Sequence, residues 1–210
     1  MKIGRGTCEI GAVIVTALLH PVFVDLLHQR AVFIASALGG WVLYLASRAW
    51  KEKDLLRHWG FRKEGLGLAF IATSVFAVAA LAVMTGIAVA RQTLVFRWQM
   101  LVLLGLYPIW GTFQQLLVQG VFVRTMTASG GGLWPKVIAT AVASVLFGAV
   151  HLPELKLAAA TCLLGLTFTL IYLRWRNLWP LGLCHGWLGV FYYYWVLGRD
   201  PWMETFVRQL

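Results

Sequence analysis

The sequence predicts an all-α bundle of transmembrane helices, with about seven spans and an eighth left open. Of the 210 residues, 60% are hydrophobic and only 12% are charged, which is too apolar for a water-soluble domain of this size. Apolar runs of about 20 residues, the length that crosses a bilayer, recur along the chain. No hydrophilic stretch is long enough for a second domain, so residues 1–210 are predicted to form a single transmembrane domain.

Seven apolar runs are predicted to cross the membrane. In chain order they are 9–27, 31–50, 66–90, 98–123, 136–152, 157–173 and 178–197. Gly39 and Gly40 in the second run predict a point of close helix packing. The polar residues 51–64 alternate Leu, Trp and Phe with basic residues, which is typical of an amphipathic element at a membrane surface. Pro135, after a run of three glycines, suits the first turn of the fifth helix.

The net charge of +10 would suggest a nucleic-acid partner for a soluble protein, but here the basic residues flank the apolar runs. We therefore expect the lipid bilayer, and no nucleic acid, as a partner. If the N-terminus lies in the cytoplasm, twelve of the 18 Lys and Arg residues fall on the cytoplasmic side and six fall outside. This imbalance predicts an integral protein of the cell's inner (plasma) membrane with a cytoplasmic N-terminus.

Polar side chains inside three of the apolar runs mark the candidate site. Gln114, Gln115 and Gln119 lie in the fourth run, where Gln115 and Gln119 fall one turn apart on one helix face. His151 ends the fifth run, and His185 lies in the seventh. Amides in hydrocarbon are costly unless they find partners, and an ionisable residue in a span is a functional candidate. These side chains are therefore predicted to meet in one polar cavity, with Gln114 or Gln115 in reach of His151.

The segments that carry these residues resemble the CPBP family of intramembrane endopeptidases, which comprises the CAAX proteases and the bacteriocin-processing (Abi) proteins. Residues 147–153 read Phe-x-x-x-His-Leu-Pro, which resembles the second motif of that family. Residues 178–185 read Leu-Trp-Pro and lead to a histidine, which resembles the third. The Gly-Phe-Arg of residues 60–62 also resembles the family pattern. The motif-bearing core is about residues 98–197.

Two motifs depart from the family pattern. The family's first motif is Glu-Glu-x-x-x-Arg, whereas residues 114–119 read Gln-Gln-x-x-x-Gln. The third motif usually has Asn or Asp four residues after its histidine, and here that residue is Gly189. In the family, a glutamate and the first histidine are thought to activate water, while the second histidine and the Asn stabilise the oxyanion. By position, Gln114 replaces that glutamate, and His151 and His185 match the two histidines.

The three glutamines are coherent as a set. Loss of the two acids alone would leave the family's arginine as an unpaired buried charge, which is costly. Glutamine at all three positions instead gives a neutral network that can satisfy its own hydrogen bonds. The pattern therefore indicates a stable site adapted to another task, without saying which task.

A glutamine cannot take a proton from water near neutral pH, although its amide can orient water. Glu154 is the one nearby substitute acid, because no Asp or Glu lies between Glu64 and Glu154. The simpler interpretation makes Glu154 a first-turn carboxylate of a sixth helix that begins at Pro153. The resemblance implies candidate catalytic positions at His151, His185, Gln114 and Gln115, with Glu154 as the substitute, and substrate contacts at Gln119 and Phe147.

The resemblance implies an intramembrane endopeptidase-like protein that processes the end of a membrane-associated, prenylated or leader peptide, with activity impaired by the glutamines. The alternative is a non-catalytic membrane binding or scaffold protein derived from that fold. A small transporter is disfavoured because the sequence has no inverted repeat or paired broken helices. Expected partners are a hydrophobic or lipid-modified peptide or a membrane protein. No cofactor is expected, and no metal, because two histidines with amides are a poor zinc ligand set.

Overall fold

A computed structural model describes residues 3–27, 29–128 and 132–204, and the regular structure in these ranges is entirely helical. The helices are α1 (Ile3–Pro21), α2 (Arg30–Lys51), α3 (Leu55–Trp59), α4 (Leu66–Ala90), α5 (Trp98–Gln115), α6 (Arg124–Ala128), α7 (Leu133–Ala149), α8 (Leu155–Trp175) and α9 (Trp179–Phe191). Turns of π-helix extend α1, α5 and α9 over Val22–Leu26, Leu116–Val123 and Tyr192–Leu197. The all-α prediction is confirmed. Pro135 lies in the first turn of α7, and the glycines before it fall partly outside the described ranges.

Each predicted apolar run coincides with a helix. In the described part of the chain, three helices are long and apolar enough to cross a membrane: Leu66–Ala90, the continuous 31-residue helix Trp98–Ala128, and Leu155–Trp175. Gly6–Pro21 and Leu133–Ala149 are shorter apolar helices. Large apolar side chains line the outer surface of the bundle, as lipid requires and water would not tolerate. The protein is a helical membrane protein, and the total of seven crossings stays a prediction.

The connections between helices gather at two ends of the bundle. At one end, Arg62 Nη2 donates a 2.8 Å hydrogen bond to the carbonyl oxygen of Trp175. At the other end, Arg91 Nη1 donates a 2.8 Å hydrogen bond to the carbonyl oxygen of Val196. Residues 51–65, 124–128 and 174–178 thus lie opposite residues 91–97 and 198–200. Which end faces the cytoplasm stays a prediction.

The polar segment before α4 forms the predicted amphipathic element. Helix α3 buries Leu55 and Trp59 and exposes Arg57. It ends at Gly60, whose φ of 117° lies in the left-handed region that favours glycine. The Gly60 carbonyl accepts a 3.0 Å hydrogen bond from the backbone N–H of Leu178. This bond fastens α3 to the junction between α8 and α9.

Helices α5 and α9 cross at backbone contact. A Cβ atom on Gly111 would lie 2.7 Å from the carbonyl oxygen of Gly182 and 2.8 Å from the nitrogen of Gly186. A Cβ atom on Gly182 would overlap Thr112, and one on Gly186 would overlap Pro108. The four-residue spacing of Gly182 and Gly186 is the small-residue pattern that lets membrane helices approach closely. This crossing sets the distance between the glutamine-bearing helix and the helix that carries the second histidine.

The close packing predicted at Gly39 and Gly40 is wrong. A Cβ atom on either residue would meet no described atom within 4 Å. Helix α2 faces the bundle with Trp41 and Leu45, which are buried, so the glycine pair lies away from that contact face. A glycine pair in an apolar run therefore does not by itself show which helix face is packed.

We expect Gly186→Ala to lower the stability of the protein in detergent by about 1–3 kcal/mol or more, because the added methyl group overlaps the α5 backbone, which cannot move aside. Gly105→Ala on the exposed face of α5 is the control, since its methyl group would enter open space. The measurement is thermal unfolding of the purified variants. Equal melting temperatures for the two variants would contradict the backbone contact.

Candidate active site

The α5–α9 crossing joins Gln115 to the helix that carries His185. Gln115 Nε2 lies 3.3 Å from His185 Nδ1. One turn further along the same helix, Gln119 Nε2 donates to Gln115 Oε1 at 3.3 Å and to Thr169 Oγ1 of α8 at 3.1 Å. Gln115, Gln119 and Thr169 are fully buried, and His185 is 8% exposed. The three helices are thus linked by one buried chain of hydrogen bonds.

The direction of these hydrogen bonds indicates which nitrogen of the His185 ring carries the proton. Gln119 donates to Gln115 Oε1, so Gln115 presents its amino group to the imidazole. An amide nitrogen only donates, so His185 Nδ1 must accept with its lone pair. With this orientation of the amide, the neutral ring of His185 carries its proton on Nε2, and the backbone of Gly111 is a further hydrogen-bonding neighbour of the ring.

His151 follows the last turn of α7 and has the opposite protonation. Its Nδ1 lies 2.7 Å from the carbonyl oxygen of Phe147. That carbonyl is available because the backbone N–H of His151 bonds instead to Gly148, 3.0 Å away, where the helix tightens and ends. A carbonyl only accepts, so Nδ1 of His151 donates and Nε2 keeps its lone pair. The free edge of this ring is a hydrogen-bond acceptor.

One aromatic ring holds the two histidines together. The Phe147 ring packs edge to face against His151, with centroids 5.4 Å apart, and against His185, with centroids 5.3 Å apart. Phe147 is buried, and the two imidazoles are close enough to interact electrostatically. The site therefore offers one imidazole as a proton acceptor and a second as a proton donor, both in contact with the Phe147 ring.

The glutamines meet His185 and not His151. In the described part of the chain, neither Gln114 nor Gln115 forms a hydrogen bond with His151. Adjacent helical residues point about 100° apart, so Gln115 faces α9 while the half-buried Gln114 points elsewhere. His151 follows the C-terminal end of α7, and its contact with the other site residues is through the Phe147 ring. The catalytic assignments of these residues, and the substrate contacts of Gln119 and Phe147, stay predictions.

Glu154 begins α8 as its N-cap, one residue before the first helical residue, Leu155. It is half-buried, and its charge acts on Tyr192 and Arg199. The described contacts include no hydrogen bond from its carboxylate to His151. A role as the substitute base therefore stays a prediction without a supporting contact, and the predicted start of the helix at Pro153 is about two residues early.

Two neighbours of the site were not singled out from the sequence. Thr169 accepts the hydrogen bond of Gln119, and the only available signal was a hydroxyl one turn after Gly165 in an apolar run. Tyr107 lies beside Gly189, where a Cβ atom would be 3.6 Å from the tyrosine ring. The space next to the position of the family's Asn or Asp is thus taken by an aromatic ring from α5. Among the described residues, no three His, Cys, Asp or Glu side chains lie together as a metal centre requires.

We expect Thr169→Val to destabilise the protein by about 1–3 kcal/mol, because it leaves a buried amide N–H of Gln119 without its acceptor. Thr167→Val removes a hydroxyl two residues away that bonds only to its own helix, at the carbonyl of Leu163, and serves as the control. Chemical or thermal unfolding in detergent measures both. A Thr169→Val variant as stable as Thr167→Val would show that the buried chain of hydrogen bonds adds nothing to stability.

The comparison with known families concerns the same part of the chain. Residues 95–191 match the family model described as type II CAAX prenyl endopeptidase Rce1-like. The matched segment contains the glutamine triplet and both histidines. No curated protein and no solved structure matches the chain. Through residues 95–191, a little under half of the chain, the protein is similar to the type II CAAX prenyl endopeptidases, which supports the resemblance to the CPBP family.

Proposed function

We propose that the protein is an intramembrane endopeptidase of the CAAX type that acts slowly on the end of a prenylated or otherwise membrane-associated peptide. The observation that carries this proposal is the pair of histidines with opposite protonation. His151 offers a lone pair on Nε2, and His185 offers an N–H on its own Nε2, beside the same phenylalanine. Hydrolysis of a peptide needs both a proton acceptor for water and a donor for the oxyanion.

In this proposal His151 takes a proton from the attacking water. The hydrogen bond from its Nδ1 to the Phe147 carbonyl holds the ring and keeps Nε2 free. His185 donates to the oxyanion that forms on the substrate carbonyl, in exchange for its interaction with the Gly111 backbone. The Gln115 amide holds the His185 tautomer that has this donor, much as an acid holds a catalytic histidine in other hydrolases.

The absence of a carboxylate is the reason to propose a slow enzyme. An imidazole that becomes protonated is stabilised by a neighbouring acid, and a neutral amide gives much weaker stabilisation. Within the described ranges, neither histidine has an Asp or Glu hydrogen-bond partner. A missing general base or its partner typically costs about 10²–10⁴-fold in rate.

The network also supports a joint origin for the glutamines at positions 115 and 119. The Gln119 and Gln115 side chains are bonded to each other, so the family's arginine and second glutamate would face each other at these positions. Replacing only one of that pair would leave a buried charge without its partner. The neutral network avoids this cost while keeping the contact with His185.

The competing function is a non-catalytic binding protein that holds the same class of peptide. The observation that favours it is the fully buried, internally bonded state of Gln115 and Gln119, which serves stability as well as it serves chemistry. The two functions differ in what happens to a bound peptide, so cleavage assays separate them.

We expect His151→Ala to abolish cleavage of a prenylated, fluorogenic CAAX peptide by the purified protein in liposomes. His151→Asn is the sharper variant, because its side-chain amide can still donate to the Phe147 carbonyl but has no basic nitrogen. Both variants should lose cleavage by about 10²-fold or more and keep peptide binding. Full activity of His151→Asn would mean that His151 has only a structural role and would remove the proposed base.

We expect Gln114→Glu to raise the cleavage rate by about tenfold or more, since it restores an acid at the family's first position without breaking a described hydrogen bond. Gln99→Glu adds the same charge in the first turn of α5, away from the site, and should leave the rate unchanged. Glu154→Gln should also leave it unchanged, because the described interactions of Glu154 are with other residues. No cleavage by the wild type or by Gln114→Glu, with retained peptide binding, would favour the non-catalytic function.

A further inference from the structure

A basic cavity lies at the end of the bundle where α3, α6 and the α8–α9 junction meet. Its volume is about 350 Å³, and it is lined by Asp54, Arg57, His58, Arg62, Arg124 and Arg176. These residues come from three separate parts of the chain: residues 54–62, Arg124 and Arg176. The need for positive charge on one side of a membrane requires basic residues on that face, but it does not require four guanidinium groups to share one cavity.

The residues that line the cavity carry more positive than negative charge. Four arginines against Asp54 give a net charge of +3 with His58 neutral. Arg57 also pairs with the exposed Glu64, which reduces the excess to +2. Within the described part of the chain, Arg62, Arg124 and Arg176 have no carboxylate partner within 4 Å. The cavity therefore holds about the charge that would balance a phosphate dianion.

The protein fixes the arginines in the cavity wall. Arg62 bonds through Nη2 to the carbonyl of Trp175, while its buried Nε has no partner among the described residues. The fully buried Asn177 donates to the carbonyl of Arg62 at 2.6 Å and holds this loop against the α8–α9 junction. Arg176 ends α8 with a φ of 48°, a conformation in which glycine is favoured. An arginine at this strained position brings its charge to the cavity edge.

Aromatic residues place the cavity at the depth of lipid headgroups. Phe61 and Trp179 pack edge to face beside it, with centroids 5.1 Å apart, and Trp179 is half exposed. Exposed tryptophans at the ends of membrane helices are typical of the bilayer–water interface. We propose that this cavity binds a phosphate group, supplied by the headgroup of an anionic phospholipid. Arginine suits this ligand because its planar group donates two parallel hydrogen bonds to phosphate oxygens.

The test measures binding of short-chain phosphatidic acid to the full-length protein in neutral detergent, by native mass spectrometry and by ligand-induced shifts in melting temperature. Short-chain phosphatidylcholine and inorganic phosphate are the comparison ligands. The cavity variant is the double substitution Arg124→Gln and Arg176→Gln. The matched control is Arg174→Gln with Lys136→Gln, which removes two exposed charges from the same end of the bundle outside the cavity. Arg176→Gly is a further variant, which removes the side chain and relieves the left-handed backbone.

We expect phosphatidic acid to bind the wild type more tightly than phosphatidylcholine. The cavity variant should bind it about 25-fold more weakly, at about fivefold for each basic residue near an anionic headgroup. The matched control should lose much less affinity, because its two charges lie outside the cavity. Arg176→Gly should weaken binding without lowering the melting temperature of the free protein, which separates loss of ligand from loss of fold.

Other outcomes decide the source of the phosphate or overturn the proposal. Inorganic phosphate that binds as tightly as phosphatidic acid, with the same loss in the cavity variant, would make soluble phosphate the ligand in place of a lipid. Equal losses in the cavity variant and its control would mean a diffuse surface charge and no site. Binding of a peptide carboxylate in preference to either phosphate ligand would also overturn the proposal.

Discussion

The backbone contact between α5 and α9 is the constraint on which the rest of the site depends. Gly111 meets Gly182 and Gly186 with no side chain between the two helices. Only at this separation can the short amide of Gln115 reach His185 at 3.3 Å. Helices α7 and α8 are drawn together in the same way, since a Cβ atom on Gly148 would lie 2.9 Å from the carbonyl of Ala158. Polar contacts between these membrane helices follow from the small residues that surround them.

The hydrogen-bond partners of the two histidines then place the ring proton on different nitrogens. Both side chains have the same chemistry, but one meets an amide donor and the other a backbone acceptor. Each contact uses Nδ1, so each ring presents Nε2, unprotonated on His151 and protonated on His185. The difference arises without any charged neighbour. The low dielectric of the interior strengthens the hydrogen bonds of this neutral network, although the buried Gln119 Oε1 has no partner among the described residues.

The sequence predicted the helices well because their signals are local. Helix α4, for example, begins and ends at the predicted residues, Leu66–Ala90. Its limits are marked by the ends of a long apolar run, where charged residues or glycines follow. A motif and the cost of burying an amide also predicted that the span with Gln115 meets the span with His185, but they placed a glutamine in reach of His151, which the described hydrogen bonds do not show. The partner of each residue did not follow, because partners depend on which helix faces cross. Gly39 and Gly40 are small residues inside an apolar run, as Gly182 and Gly186 are, yet only the latter pair is packed. Thr169 was missed for the same reason, since a lone hydroxyl gives no sign of its neighbours.

The adjacent glutamines differ in the charge that they could tolerate. Gln115 is fully buried and bonded on both sides, so a carboxylate there would lose its donation to His185 and would need a cation at position 119. Gln114 is half-buried and has no side-chain hydrogen bond among the described residues, so a carboxylate there would break nothing. The family's three charges thus divide into a coupled pair at positions 115 and 119 and an independent one at 114. Neutrality at 115 explains neutrality at 119, but it does not explain glutamine at 114. Stability therefore does not require glutamine in place of the family's glutamate at position 114. This replacement bears most directly on whether the protein cleaves peptides.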